Sequence, residues 1–107
     1  MTRTVDLVIS GDGPEARAAA VDALRRGRRV LIVVRSGDAR QAQRLRKCLR
    51  KTAGTNSGQL AVMASAEVVC VDGVDSVEAV VVRHGPTGRL SAMNASAFVS
   101  FERSPQP

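Results

Sequence analysis

The sequence predicts an α/β domain of three layers: a parallel sheet carrying two helices, joined to an antiparallel three-strand β-meander. Three observations lead there. An apolar run, Val5 to Ile9, stops at a glycine turn, Gly11-Asp12-Gly13, and gives way to an alanine-rich stripe at helical spacing. A second apolar run, Val30 to Val34, and a second helical stripe repeat that order. Beyond Glu67 the helical period disappears, and short β-rich segments alternate with turn residues.

Val5 to Ile9 is apolar on both faces, as a buried parallel strand should be. Pro14 suits the first turn of a helix because its missing N–H is no loss there, and Glu15 suits the positive end. Ala16, Ala19, Ala20, Ala23 and Leu24 form the buried stripe, and Gly27 stops it after Arg25 and Arg26. Val30 to Val34 completes a right-handed βαβ unit. After Ser36-Gly37-Asp38 a second helix is expected from Ala39 to Lys51, buried through Ala42, Leu45, Cys48 and Leu49. Thr52 to Gly58 reads as a loop, and Leu60 to Met63 as a third parallel strand. The meander is assigned to Glu67–Val71, Val77–Arg83 and Arg89–Met93, with turns at Asp72-Gly73 and Gly85-Pro86-Thr87-Gly88. A separate last strand is expected at Ala97–Phe101.

At 107 residues the chain fits one domain, residues 1–107, and cannot also hold a second redox domain. Its net charge of +6 is unevenly placed: twelve of the sixteen Lys and Arg fall between Arg17 and Lys51, against only Asp22 and Asp38. Such a stretch attracts phosphates, acidic surfaces or nucleic acid. Cys48 and Cys70 match no metal or redox spacing and are expected to be buried, reduced thiols. No leader-like or membrane-spanning run is seen, so a cytoplasmic, non-membrane protein is expected.

The chemistry centres on Gly11-Asp12-Gly13-Pro14-Glu15-Ala16, a Gly-x-Gly-x-x-Ala turn placed between strand and helix. Gly11 would allow the tight turn and Gly13 the close approach of a pyrophosphate. Ala16 would let helix and strand pack closely, and the helix N-terminus would meet the anion. NAD and FAD sites place a carboxylate at the end of the second strand, whereas here Val34 is followed by Arg35, Ser36 and Arg40. That favours NADP, with its 2′-phosphate held between Arg35 and Arg40 and assisted by Ser36; FAD fits least. No catalytic residue and no metal site is assigned. His84, the only histidine, and Asp72 and Asp75 all read as turn residues.

Three segments resemble the NAD(P)-binding, Rossmann-like domain of the pyridine-nucleotide disulfide oxidoreductases, in particular thioredoxin reductase. Gly11 to Ala16 is similar to that family's nucleotide turn. Val34 to Arg40 is similar to its His-Arg-Arg-x-x-x-Arg motif for the 2′-phosphate: Val34 stands at the histidine, Arg35 and Arg40 match two arginines, and Ser36 replaces the third. Ala97 to Gln106 resembles its closing Phe-Val-Ala-Ile-Gly-x-x-Pro-Asn, with Glu102 in place of the glycine. The resemblance implies a domain or subunit that positions NADP(H) for hydride transfer to a flavin supplied by a partner. Nothing in the chain corresponds to the family's flavin domain or to the family's redox-active Cys-x-x-Cys.

Glu102, Asp12 and the missing flavin half also support a second reading, a degenerate interaction module with no cofactor. A basic nucleic-acid-binding module is the least favoured reading, because the chain has no Tyr or Trp to stack bases. A domain without its family partner would leave an apolar patch, so homo-oligomer formation is expected.

Overall fold

In a computed structural model, the residues described are 3–54, 58–74 and 76–101. Asp75 and the segment from Glu102 onward, including the end of the closing motif, lie outside them. The elements run β1 (Arg3–Ser10), α1 (Pro14–Arg25), β2 (Arg29–Val33), α2 (Ala39–Ala53), β3 (Gln59–Met63), β4 (Ala66–Asp72), β5 (Ala79–His84) and β6 (Leu90–Ser100). Among the described residues the strands form one mixed six-stranded sheet, ordered β3-β2-β1-β6-β5-β4. β1 pairs in parallel with β2 and β6, and β2 with β3, while β5 runs antiparallel to both β4 and β6.

β2 shows why the sequence looked apolar throughout. Val30 and Ile32 share a core with Ala16, Ala20 and Leu24 of α1 and Leu49 of α2. Leu31 and Val33 share a second core with Val80 and Val82 of β5 and Met93 and Ala95 of β6. The parallel strands are therefore covered on both faces, by helices on one side and by the meander on the other. Ile9, Leu24, Leu31 and Ile32 are wholly buried, each contributing about 1.5–3 kcal/mol over an exposed position.

One expectation needs correcting. Arg89–Met93 and Ala97–Phe101 are not two strands but parts of one, β6. Asn94-Ala95-Ser96 contains no glycine or proline, so nothing there turns the chain. Instead the strand changes partner along its length: Leu90 to Asn94 pair with β5, and Met93 to Ser100 pair with β1. Met93 and Asn94 pair on both sides at once, which requires extended backbone through the junction.

A second irregularity lies across from it. Val5 and Val8 both face the meander core, whereas Leu7 and Ile9 face the helices, so the side-to-side alternation of β1 breaks at Asp6. The Asp6 carboxylate accepts from the Arg29 amide at 2.8 Å and from the Arg29 guanidinium at 3.3 Å, anchoring the start of β2. These bonds, the backbone one foremost, hold the Asp6 pKa below its ordinary value.

Candidate functional site at the glycine turn

β1 ends by handing its backbone to a turn fixed from two directions. The Gly11 amide donates to the Val33 carbonyl at 2.9 Å, and the Phe101 amide donates to the Ser10 carbonyl at 2.8 Å. Gly11 is buried with φ +117°, a region that L side chains rarely adopt, so the turn itself requires glycine.

Gly13 differs. It is the N-cap of α1 with an ordinary φ of −70°, and a Cβ built on it would meet nothing within 4 Å. The fold would accept a side chain there. No side chain caps α1, although Ser, Thr, Asp or Asn at this position would have stabilised the helix. Pro14 has no amide, and the Glu15 and Ala16 amides of the first turn have no helical acceptor. The result is an open cradle of N–H groups at the positive end of a helix dipole. Ala16 is wholly buried in the helix-side core, where its small side chain lets α1 sit close to the strands.

The cradle borders a cleft of about 520 Å³ running from Asp12 and Arg17 across Val34 and Ser36 to Gln41, Arg44 and Cys48 of α2. Arg17 Nε donates to the Asp12 carbonyl at 2.9 Å, which holds this cation beside the turn. A second trough of about 540 Å³ continues past Gly37, Ala42 and Val62 to His84 and Pro86. Asp38 caps α2: its carboxylate accepts from the Gln41 amide at 2.9 Å, and Gln41 Oε1 accepts from the Asp38 amide at 3.0 Å. The first carboxylate after β2 is thus committed to the helix in a reciprocal capping box.

The structure gathers some of the sequence-assigned residues and separates others. Gly11, Gly13, Pro14, Glu15 and Ala16 form the strand–turn–helix corner, and Ser36 lines the cleft. Arg35 instead lines a groove of about 490 Å³ with Ser65, Glu67, Arg83 and Gly88, beside the Arg83–Glu67 ion pair. Arg40 is exposed on the first turn of α2 and does not line the cleft. The cations that do line it, Arg17 and Arg44, were missed by sequence reasoning. The available signal was positional: Arg17 falls one turn after Gly13, and Gln41, Arg44 and Cys48 recur at helical spacing. The cysteines also need correcting, since Cys48 and Cys70 are exposed free thiols rather than buried ones. Cys48 lies on the cleft side of the α2 stripe, and Cys70 lies on an edge strand.

Comparison with solved structures places this corner in a known architecture. A thioredoxin reductase from Streptococcus pyogenes matches 95% of this chain at TM-score 0.65 and 19% identity. Another from Lactococcus lactis matches 95% at TM-score 0.69 and 17% identity. A myxobacterial FAD-dependent chondrochloren halogenase matches 92% at TM-score 0.69 and 15% identity. The fold is that of a Rossmann-like domain found in such oxidoreductases. The chain spans only 32% of either reductase and 37% of the halogenase. No protein-family model matches the chain, and no curated protein sequence does. Among the described residues, no helix is long and apolar enough to cross a membrane, and no group of three acidic, His or Cys residues could hold a metal.

Proposed function

We propose that this chain is an NADP(H)-binding domain or subunit of a thioredoxin reductase-like oxidoreductase. In this reading it presents the nucleotide to a flavin carried by a partner domain or subunit and is not catalytically complete alone. The observation that carries the proposal is the Gly13 cradle, a glycine that the fold does not need, beside a cleft flanked by Arg17 and Arg44. A glycine N-cap with an ordinary φ and open space where a Cβ would stand leaves the backbone bare for a ligand that approaches it.

The donor set supports the 2′-phosphorylated nucleotide. An NAD or FAD ribose needs a carboxylate at the end of β2, where Val34 stands, and Asp38 is engaged in its capping box. The pyrophosphate would lie on the Glu15 and Ala16 amides with Arg17 beside it. The 2′-phosphate would be held by Ser36 and Arg44, with Arg40 one helical turn before Arg44. Arg35, on the other groove, would contribute less than its motif position suggests.

Calorimetry with NADPH, NADH and FAD tests this reading. NADPH should bind at least about tenfold more tightly than NADH. Arg44→Ala should cost about 1–3 kcal/mol of NADPH affinity and leave NADH nearly unchanged. Gly13→Val should weaken both nucleotides together. Wild type that binds no nucleotide at millimolar concentration would leave the cofactor-free interaction module standing, with the Asp12 carboxylate at the cleft as the first residue to neutralise.

A further inference from the structure

α2 carries Arg40, Arg44, Arg46, Lys47, Arg50 and Lys51 and no acidic residue. These cations divide by role. Arg46 Nε donates to the Leu60 carbonyl at 3.0 Å and Arg50 Nη1 to the Gly58 carbonyl at 3.2 Å, so both fasten the helix to the β3 edge. Arg40, Arg44, Lys47 and Lys51 are exposed, and among the described residues no ion pair reaches them. At 100° per residue they fall within a stripe about 60° wide, opposite buried Leu49, and extend about 16 Å along the helix.

Part of this arrangement works against the helix that bears it. Arg40 lies in the first turn, where the dipole favours an anion, and that turn holds no acidic residue. Arg40 with Arg44, and Lys47 with Lys51, are like-charged pairs four residues apart. An ordinary solvated helix face mixes signs at that spacing. Asp38 at the N-cap offsets the first turn and Lys51 suits the last, but the two like-charged pairs find no acidic partner among the described residues, and that points to a counter-charge outside the chain.

We propose that the outward face of α2 docks on the phosphate backbone of a nucleic-acid duplex. The chemistry of the face selects this occupant by charge complementarity. A duplex carries one negative charge per about 1.7 Å, so a row of about 16 Å finds a phosphate for every cation. An acidic protein surface would need apolar or aromatic anchors at the centre of its contact, and the exposed positions of α2 carry no Leu, Ile, Val, Phe or Met. A single strand would need stacking platforms; the chain has no Tyr or Trp, and Phe98 and Phe101 are partly buried against the cores. Contacts to phosphate alone read no sequence, so binding is sequence-independent. This docking is separate from the nucleotide reading except at Arg40 and Arg44, which that reading also uses.

Fluorescence anisotropy with a labelled 20-base-pair DNA duplex of arbitrary sequence, over a salt series, tests the proposal. Four phosphate contacts give a slope of log affinity against log salt of about −3.6. The double variant Lys47→Glu, Lys51→Glu, which touches neither the cleft nor the core, should bind at least about tenfold more weakly and lose about two from that slope. The double variant Arg28→Glu, Arg89→Glu changes net charge equally away from α2 and should stay within about threefold of wild type. NADPH affinity should be unchanged by Lys47→Glu, Lys51→Glu, so loss of duplex binding and failure of the nucleotide reading remain distinguishable. Equal losses in the two double variants would overturn the proposal in favour of net charge alone. Competition by poly-glutamate at equal charge concentration would overturn it in favour of an acidic protein partner.

Discussion

Strands β2 and β4 draw on similar residues, RVLIV against AEVVCVD, and meet opposite surroundings. Val30 to Val33 of β2 are all buried, with helices on one face and the meander on the other. In β4 only Ala66 is buried, and Val69 and Val71 are 44% and 42% exposed at the edge of the sheet. The same β-branched side chains therefore support a sealed scaffold in one half and an open rim in the other. The glycine turn lies at the end of the sealed half, where the backbone on which it depends is held most firmly.

That contrast predicts unequal costs for similar truncations. Ile32→Ala removes a wholly buried side chain and should destabilise by about 2–5 kcal/mol, lowering Tm by at least about 8 °C. Val71→Ala should stay within about 0.5 kcal/mol. Urea and thermal unfolding at several protein concentrations measure both. A large cost at Val71, growing with concentration, would show that β4 is covered in solution by a second copy, and the two halves would then differ less than the single chain suggests.

The two glycines of the turn offer a sharper version of the same contrast. Gly11 serves the scaffold: at φ +117° an alanine is strained, and Gly11→Ala should cost about 1–3 kcal/mol of stability. Gly13 serves the opening beyond it. Gly13→Ala should change stability by less than about 1 kcal/mol, because a poorer N-cap opposes the gain from a less flexible unfolded chain, while weakening any nucleotide that lies on the cradle. Denaturant midpoints and nucleotide titrations on the same two variants separate the roles. Equal destabilisation by both substitutions would mean that Gly13 is structural after all.

The sealed half was largely legible in the sequence because a strand buried on both faces is apolar throughout, and Pro14, Glu15 and Gly27 mark the ends of the first helix. Asp38 and Gln41 likewise signal the start of α2 at capping-box spacing. β6 was not legible as one strand, because periodicity records which face is buried and not which strand lies alongside. Its partner changes from β5 to β1 around Met93 and Asn94, and the burial pattern changes with it. At the corner, motif position located the strand–turn–helix junction and Ser36, which lines the cleft. It could not show that Arg35 lines a groove beside the meander, since adjacent residues at a strand end point to opposite sides. Cys48 misled for a similar reason: it borders the buried stripe of α2 on the cleft side and meets solvent.

The smallest expected effect lies at Asp6, where β1 changes which core its residues face. Its carboxylate is bonded to the Arg29 amide and guanidinium, and its pKa lies below the ordinary 3.8. A folded-state pKa below the unfolded one means that the ionised form is favoured by folding. The contribution is complete above the unfolded value and disappears as pH falls through the folded value. Wild-type stability should therefore decline as pH drops below about 4, to a degree limited by solvent access to the pair. Asp6→Asn keeps an acceptor for the Arg29 amide but removes the charge, so it isolates the electrostatic part. Urea midpoints of the two proteins should differ most near neutral pH and converge at the acid end of the series. Parallel pH profiles would mean that the ladder from β1 to β2 holds this junction alone, and the charge that marks the change of face would have no part in stabilising it.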